Sequence, residues 1–245
     1  MKIFSENINC KEFDKFSKRQ KSFTVVKYSF SYLSDKDDEI LIDEIIQKGE
    51  ILAQKVNKGA ASNSTYVRSL KTVKNNAIAG LLAEYIWKHY LNSNDIQVSE
   101  TEFNDASNQI DLLIVDKDKT IEVRSSFPRN GIKFAVCHNR YEFDIIGPYS
   151  NNYKPNEIQK DFYVRVLYPF QSFLLIEKIK QNNFDVYLVG GATWEMICNN
   201  NIAIIKSFIP EDELNVERLS TKSNYRVVPY HNALDTIEIM ELMKK

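Results

Sequence analysis

The sequence predicts an α/β or α+β fold in which helices flank a mixed β-sheet. A long helical pattern at Asn75–Leu91 precedes a run of short segments rich in β-branched and aromatic residues. The 245 residues are 43% hydrophobic and 27% charged, which is typical of a globular protein with a sizeable core. Because no Pro-, Gly- or Ser-rich linker divides the chain, we expect one domain over 1–245. Its core would span about 68–208, with 1–60 and 209–245 as peripheral additions.

The elements before the central region follow from local patterns. Phe23–Leu33 contains alternating β-forming residues and is predicted to be a strand. Asp37–Val56 has apolar residues at helical spacing and acidic residues at its start, which indicates a helix. Lys58–Thr65 has the composition of a loop. The helix Asn75–Leu91 has little polar surface, so we expect it to be mostly buried, and Glu84 is its only acidic residue.

A β-hairpin is predicted next. Gln109–Val115 and Thr120–Ser126 have strand composition, and Asp116–Lys119 between them is a polar turn. A short helix at Thr193–Cys198, with Thr193 as its N-cap, is also expected. Further strands are predicted at Lys133–Cys137, Phe162–Leu167, Phe173–Ile176, Asp185–Val189 and Ile202–Phe208.

The hairpin would bring charged residues together on one face. A turn centred on Lys117-Asp118 places Asp111 opposite Arg124, and Glu122 opposite Leu113. Because opposed residues share a face, as do alternate residues of one strand, Asp111, Glu122 and Arg124 would project from the same side. A register slip of one residue would separate them. The other side would be an apolar packing face formed by Ile110, Leu112, Ile114, Ile121 and Val123.

These three side chains suggest a metal-assisted reaction on a phosphate. Two carboxylates held close together need a cation to stay ionised, and oxygen ligands without histidine or cysteine favour Mg²⁺. Such an ion can position a water and stabilise charge on a phosphate, and Arg124 can bind the phosphate. The alternative is that Asp111 and Arg124 form only a cross-strand ion pair.

The pattern resembles the PD-(D/E)xK nucleases, which include most type II restriction endonucleases. The matching residues are Asp111, ten intervening residues, and Glu122-Val123-Arg124, preceded by the helical segment Gly80–Glu84. The resemblance covers about 68–134. It implies a restriction-endonuclease-like core and a Mg²⁺ site formed by Asp111, Glu122 and Glu84, with Asp111, Glu122 and Arg124 as catalytic residues.

Two positions depart from the family's pattern. Ile110 stands where the motif has proline, and Arg124 stands where lysine is usual. Arginine keeps its charge under nearly all conditions, so Arg124 would act electrostatically and not as a general base. A catalytically degenerate DNA-binding protein of the same fold is therefore a second hypothesis. For Glu84, the alternative is an ion pair with Lys88 one helical turn away.

Basic residues around this cluster are candidates for DNA binding. The net charge of −1 does not itself indicate a nucleic-acid partner, but Ile51–Ala83 and Val123–Tyr141 contain no acidic residue. An ordinary solvated surface is the alternative for each stretch. The candidate phosphate-binding residues are Lys55, Lys58, Arg68, Lys71, Lys74, Arg129, Lys133 and Arg140.

The leading hypothesis is a sequence-specific endodeoxyribonuclease that hydrolyses double-stranded DNA with Mg²⁺, acts as a homodimer and accompanies a DNA methyltransferase that modifies the same site. Two further hypotheses are a non-specific or repair nuclease and an interaction protein without a nucleic-acid role. No apolar run reaches the roughly 20 residues of a membrane span, and the N-terminus lacks the apolar core of a secretory signal. We therefore expect a cytoplasmic protein without a membrane partner.

The three cysteines are expected to be structural residues. Cys10, Cys137 and Cys198 are far apart and form no CxxC pair. Neither a zinc site nor a disulfide framework is therefore expected, and the thiols should behave as small buried apolar groups.

Overall fold

A computed structural model describes residues 1–19, 22–56, 68–101, 109–138, 144–149, 157–208 and 223–245. The strands within these ranges are β1 (Lys2–Ile8), β2 (Phe23–Ser31), β3 (Val98–Glu100), β4 (Leu112–Ile114), β5 (Lys119–Ser126), β6 (Asp144–Ile146), β7 (Phe162–Leu167), β8 (Asn182–Thr193), β9 (Ile204–Phe208) and β10 (Ser223–Pro229).

Seven of these strands form one mixed sheet, in the order β1-β2-β8-β7-β5-β4-β3. Strands β5 and β7 run parallel, and the other neighbours in this sheet are antiparallel. A smaller antiparallel sheet has the order β6-β10-β9. The expected mixed sheet is therefore confirmed, and the N-terminal strands β1 and β2 belong to it.

Helices and the small sheet cover both faces of the large sheet. The helices are α1 (Cys10–Phe13), α2 (Lys36–Lys55), α3 (Leu70–Asn92), α4 (Ile132–Cys137), α5 (Leu175–Ile179), α6 (Trp194–Cys198) and α7 (Thr236–Met243). The first face packs against α2, α3, α5 and α7 around the buried ring of Trp87, and the second face packs against α1, α4, α6 and the small sheet around Tyr163 and Tyr230.

The central helix α3 forms where the sequence predicts it and extends further at its N-terminus. Its N-cap is Ser69, whose side chain accepts a hydrogen bond from the backbone N–H of Thr72. Ile78, Leu82 and Ile86 on this helix are fully buried against the sheet. Burial of this apolar surface stabilises the helix, at roughly 1.5–3 kcal/mol for each large side chain.

Local signals at other elements are also confirmed. The strands at Phe162–Leu167 and Thr120–Ser126 and the helix over Asp37–Val56 lie within a residue or so of their predicted bounds. The side chain of Thr193 accepts a hydrogen bond from the N–H of Met196 and caps α6 as expected. The predicted loop Lys58–Thr65 lies outside the described residues.

Two predicted strands are helical. Lys133–Cys137 lies in α4, which begins after Gly131 (φ 85°), and Phe173–Ile176 spans a short 3₁₀ helix and the start of α5. A short apolar run fits a strand and a buried helix equally well. Packing decides between them: Ile132, Ala135 and Val136 bury one side of a helical turn against the second face of the sheet.

The expectation for the cysteines is wrong for all three. Cys10 and Cys137 form a disulfide that joins α1 to α4 across a sequence separation of 127 residues, and Cys198 is an exposed free thiol. The sequence pattern does not indicate this disulfide, because its formation depends on how distant segments of the chain pack together.

Among the helices that the structure describes, none is both long and apolar enough to cross a bilayer.

Candidate active site

The β4–β5 hairpin has a different register from the predicted one. Leu113 pairs with Thr120, whereas the sequence places it opposite Glu122, and the turn occupies Val115–Asp118. The register therefore differs by two residues. A shift of two leaves every side chain on its predicted face, because the side-chain period of a strand is two. The apolar face is accordingly confirmed at Leu112, Ile114, Ile121 and Val123, all of which are buried in the core of the first face.

Strand β5 extends beyond the end of its antiparallel neighbour β4. The last β4 pair joins Leu112 to Ile121, yet β5 continues to Ser126. Asp111 stands at this fork, and its Oδ2 accepts a hydrogen bond from the backbone N–H of Val123 at 2.7 Å. The carboxylate of Asp111 thus satisfies the first backbone donor of β5 beyond the paired region, which fixes the position of that carboxylate.

Glu122 is held between two cations on the second face of the sheet. Its Oε1 lies 3.1 Å from Nη2 of Arg124, and its Oε2 lies 3.3 Å from Nζ of Lys160. Lys160 precedes β7, and its side chain is only 1% exposed. Because Glu122 is itself buried, these two contacts compensate a charge that has lost most of its water.

Arg124 contacts a second carboxylate. Its Nη2 lies 3.1 and 3.2 Å from the two carboxylate oxygens of Glu157, and its guanidinium carbon lies 5.1 Å from the ring centre of Tyr149. Burial would lower the pKa of Arg124, but the charges of Glu122 and Glu157 outweigh burial and raise it. Arg124 therefore stays a cation. It forms its ion pairs with these glutamates, so the simple cross-strand pair with Asp111 is not what the structure shows.

Glu84 lies in the same electrostatic environment although it belongs to α3. Its pKa is raised well above the usual range, first by burial and then by the charges of Asp111, Glu100 and Glu122. The alternative partner Lys88 is engaged elsewhere, since its Nζ donates to Oε1 of Glu100 at 2.9 Å. The charges of Asp111 and Glu122 therefore act on Glu84, whereas its role as a metal ligand stays a prediction.

Asp111 is perturbed in the same direction. Burial, followed by the charge of Glu122, raises its pKa to about 7, against the opposing effects of the Val123 N–H, Arg124 and Lys160. Both causes disfavour the ionised carboxylate, because burial removes its water and Glu122 adds a like charge.

Counting the charges shows the size of this excess. Around Asp111 and Glu122 there are two further carboxylates, Glu84 beside these two acids and Glu157 beside Arg124, and two cations, Arg124 and Lys160. If all six groups are ionised, two negative charges are uncompensated. Either two protons or one divalent cation would neutralise the cluster.

The donor set suits a hard cation. Carboxylate oxygens are the ligands that Mg²⁺ prefers, and one such ion matches the excess of two charges. Within the described ranges, no three His, Cys, Asp or Glu side chains are arranged as a ready-made ligand group. The donor atoms suit Mg²⁺ by their chemistry and charge, but their arrangement is not that of a formed ligand set.

The basic residues predicted to bind DNA fall in two places. Lys55 at the end of α2 and Lys71 at the start of α3 are exposed, and Arg129 and Lys133 are exposed beside the start of α4. The neighbouring Lys74 forms an ion pair with Glu50. Arg68 is partly exposed just before α3, whereas Lys58 and Arg140 lie outside the described residues.

Sequence reasoning missed Lys160 and Glu157. Both precede β7 and lie more than 30 residues from the hairpin, and they reach it because β7 pairs with β5 in parallel. The only available signal was a group of charged residues directly before the predicted strand Phe162–Leu167. Such a group is typical of many surface loops and does not indicate a site.

No family model matches the chain, and no solved structure matches it. The chain is 24% identical over 261 residues to the "Uncharacterized protein MJECS01" of Methanocaldococcus jannaschii, and the match covers 91% of this chain and 86% of that protein. The similarity thus extends over nearly the whole of both chains, and the name of the relative describes no activity.

Proposed function

We propose that the protein is a Mg²⁺-dependent, sequence-specific endodeoxyribonuclease of the restriction-enzyme type, with a restriction-endonuclease-like core. One observation carries the proposal: a partly buried group of four carboxylates and two cations, at a fork in the sheet, would have two uncompensated negative charges if every member were ionised. A cluster with only a structural role would be expected to balance its charges, because buried unpaired charge is destabilising.

The residues of the cluster have distinct roles in this proposal. Asp111, fixed by the Val123 N–H, and Glu122, fixed between Arg124 and Lys160, provide the oxygen ligands. Glu84 adds a third carboxylate from α3. A bound Mg²⁺ would supply a polarised water and compensate charge on the phosphodiester.

The substrate we propose is double-stranded DNA. The exposed side chains of Lys55, Lys71, Arg129 and Lys133 are available for the phosphates that flank the reacting bond. Such contacts hold the duplex in place without reading its sequence. Cleavage of both strands at a symmetric site would require a homodimer, in which each chain contributes one carboxylate cluster.

The experiment is digestion of a mixed DNA substrate by the purified protein with Mg²⁺. We expect discrete fragments, which disappear in EDTA and with Asp111→Ala. The matched control is Asp116→Ala, which removes an exposed carboxylate in the turn of the same hairpin and should cut like the wild type. A smear of small products would instead show a non-specific or repair nuclease, and loss of activity in both variants would refute the assignment of Asp111.

A second candidate function is DNA binding without cleavage. It is supported by Arg124, which stands at the lysine position and is already paired with Glu157. This candidate predicts salt-sensitive DNA binding without cutting under any divalent cation. Arg124→Lys distinguishes the two functions, since cutting by this variant alone would show that the wild type has lost cleavage through this substitution.

A further inference from the structure

Lys160 is a buried amine whose position is explained by Glu122. Its ammonium group contacts Oε2 of Glu122 at 3.3 Å and donates to the backbone carbonyl of Ile158 at 3.2 Å, and its side chain is 1% exposed. Lysine is rarely buried to this extent unless it is paired. A hydrophobic side chain would cost less in this position, so the ammonium has to be accounted for by what it does to its partner.

Arg124 is poorly suited to serve Glu122 alone. One nitrogen of its guanidinium, Nη2, contacts both Glu122 and Glu157, so its positive charge is divided between two carboxylates. Lys160 has Glu122 as its acidic partner among the described residues. Lys160 therefore gives Glu122 a second cation, whose charge also lowers the pKa of Asp111.

We propose that Lys160 is a positioning residue of the active site, which acts on the carboxylate of Glu122. It acts through Glu122 by fixing Oε2 while Arg124 fixes Oε1, so that the carboxylate keeps one orientation and stays available to a divalent cation. This inference rests on the proposed nuclease function. It assigns the second cation of the site to a residue outside the hairpin.

The test compares Lys160→Met, which keeps the length of the side chain and removes its charge, with Lys160→Arg, which keeps the charge. The control is Lys119→Met, because Lys119 is 49% exposed and pairs with Asp161 at 3.5 Å, close to the same end of β7. DNA cleavage is measured under single-turnover conditions at saturating Mg²⁺, DNA binding is measured in EDTA, and Mn²⁺ binding is measured by calorimetry.

We expect Lys160→Met to lower the cleavage rate about 10–100-fold, as is usual when a residue that orients a metal ligand is removed. DNA binding in EDTA should be unchanged, Lys160→Arg should recover part of the rate, and Lys119→Met should cut like the wild type. A purely structural role would instead lower cleavage and DNA binding together, without recovery by arginine, and would overturn the inference.

The outcomes separate this inference from the proposed function. If the wild type cuts and Lys160→Met cuts equally well, only the role of Lys160 is refuted. If the wild type binds Mn²⁺ but cuts no DNA, the nuclease function fails, and weaker Mn²⁺ binding by Lys160→Met than by Lys160→Arg still supports positioning. If the wild type neither cuts nor binds Mn²⁺, both proposals are refuted.

Discussion

Replacing Asp111 by asparagine should stabilise the protein at alkaline pH while it removes the proposed metal ligand. Asparagine has nearly the same shape, and its carbonyl oxygen can accept the hydrogen bond from the N–H of Val123 that Oδ2 of Asp111 accepts now. The substitution therefore removes mainly the charge. We therefore expect Asp111→Asn to raise the stability of the protein and to lower its activity, a trade-off that is common at functional sites.

The size and pH range of the effect follow from the pKa of Asp111. Burial and the charge of Glu122 raise this pKa to about 7 in the folded protein, whereas an unfolded aspartate has a pKa of about 3.9. Between these values the folded state holds a proton that the unfolded state has lost, so wild-type stability falls as the pH rises from about 4 to about 7. A shift of about three pKa units corresponds to at most about 4 kcal/mol. Because Asp111 is partly exposed, we expect about 1–2 kcal/mol.

The assay is urea unfolding of wild type and Asp111→Asn at pH 5 and pH 8 in EDTA. We expect the variant to be more stable than the wild type at pH 8, with a difference about a third as large at pH 5, because pH 5 lies about one unit into the range over which the wild type loses stability. Asp116→Asn, an exposed position in the same hairpin, is the control and should match the wild type at both values. A variant less stable than the wild type at pH 8, or a difference that does not grow with pH, would refute the reasoning about excess negative charge.

Three further predictions concern the fold. Gly190 has φ 75°, and a Cβ there would collide with the carbonyl oxygen of Leu234. Gly190→Ala should therefore lower the free energy of unfolding, measured in urea, by at least about 2 kcal/mol. At Gly80 an added methyl group meets nothing within 4 Å, so Gly80→Ala should raise the free energy of unfolding by about 0.5–1 kcal/mol. Reduction of the Cys10–Cys137 disulfide, which closes a long loop, should cost about 2–5 kcal/mol in the same assay, and equal stability of the reduced and oxidised proteins would contradict the pairing.

Local sequence patterns determined much of the central region. The helix α3, the hairpin and the cap at Thr193 were all predictable because their signals lie within a few residues of one another. The predicted register of the hairpin was wrong by two residues, but Glu122 still lies on the face opposite Ile121 and Val123. Side chains alternate between the two faces along a strand, so a shift by an even number of residues does not change their face. The sequence could therefore identify the acids of the hairpin without giving their exact partners.

Tertiary structure alone decided what surrounds those acids. Parallel pairing of β5 with β7 brings Lys160 to Glu122 and Glu157 to Arg124, and packing of α1 against α4 joins Cys10 to Cys137. Each of these contacts joins residues more than 30 positions apart, and no local periodicity encodes such a distance. The sequence alone thus determined which carboxylates belong to the hairpin, whereas only the folded chain determined which cations compensate them, because electrostatic compensation depends on proximity in space.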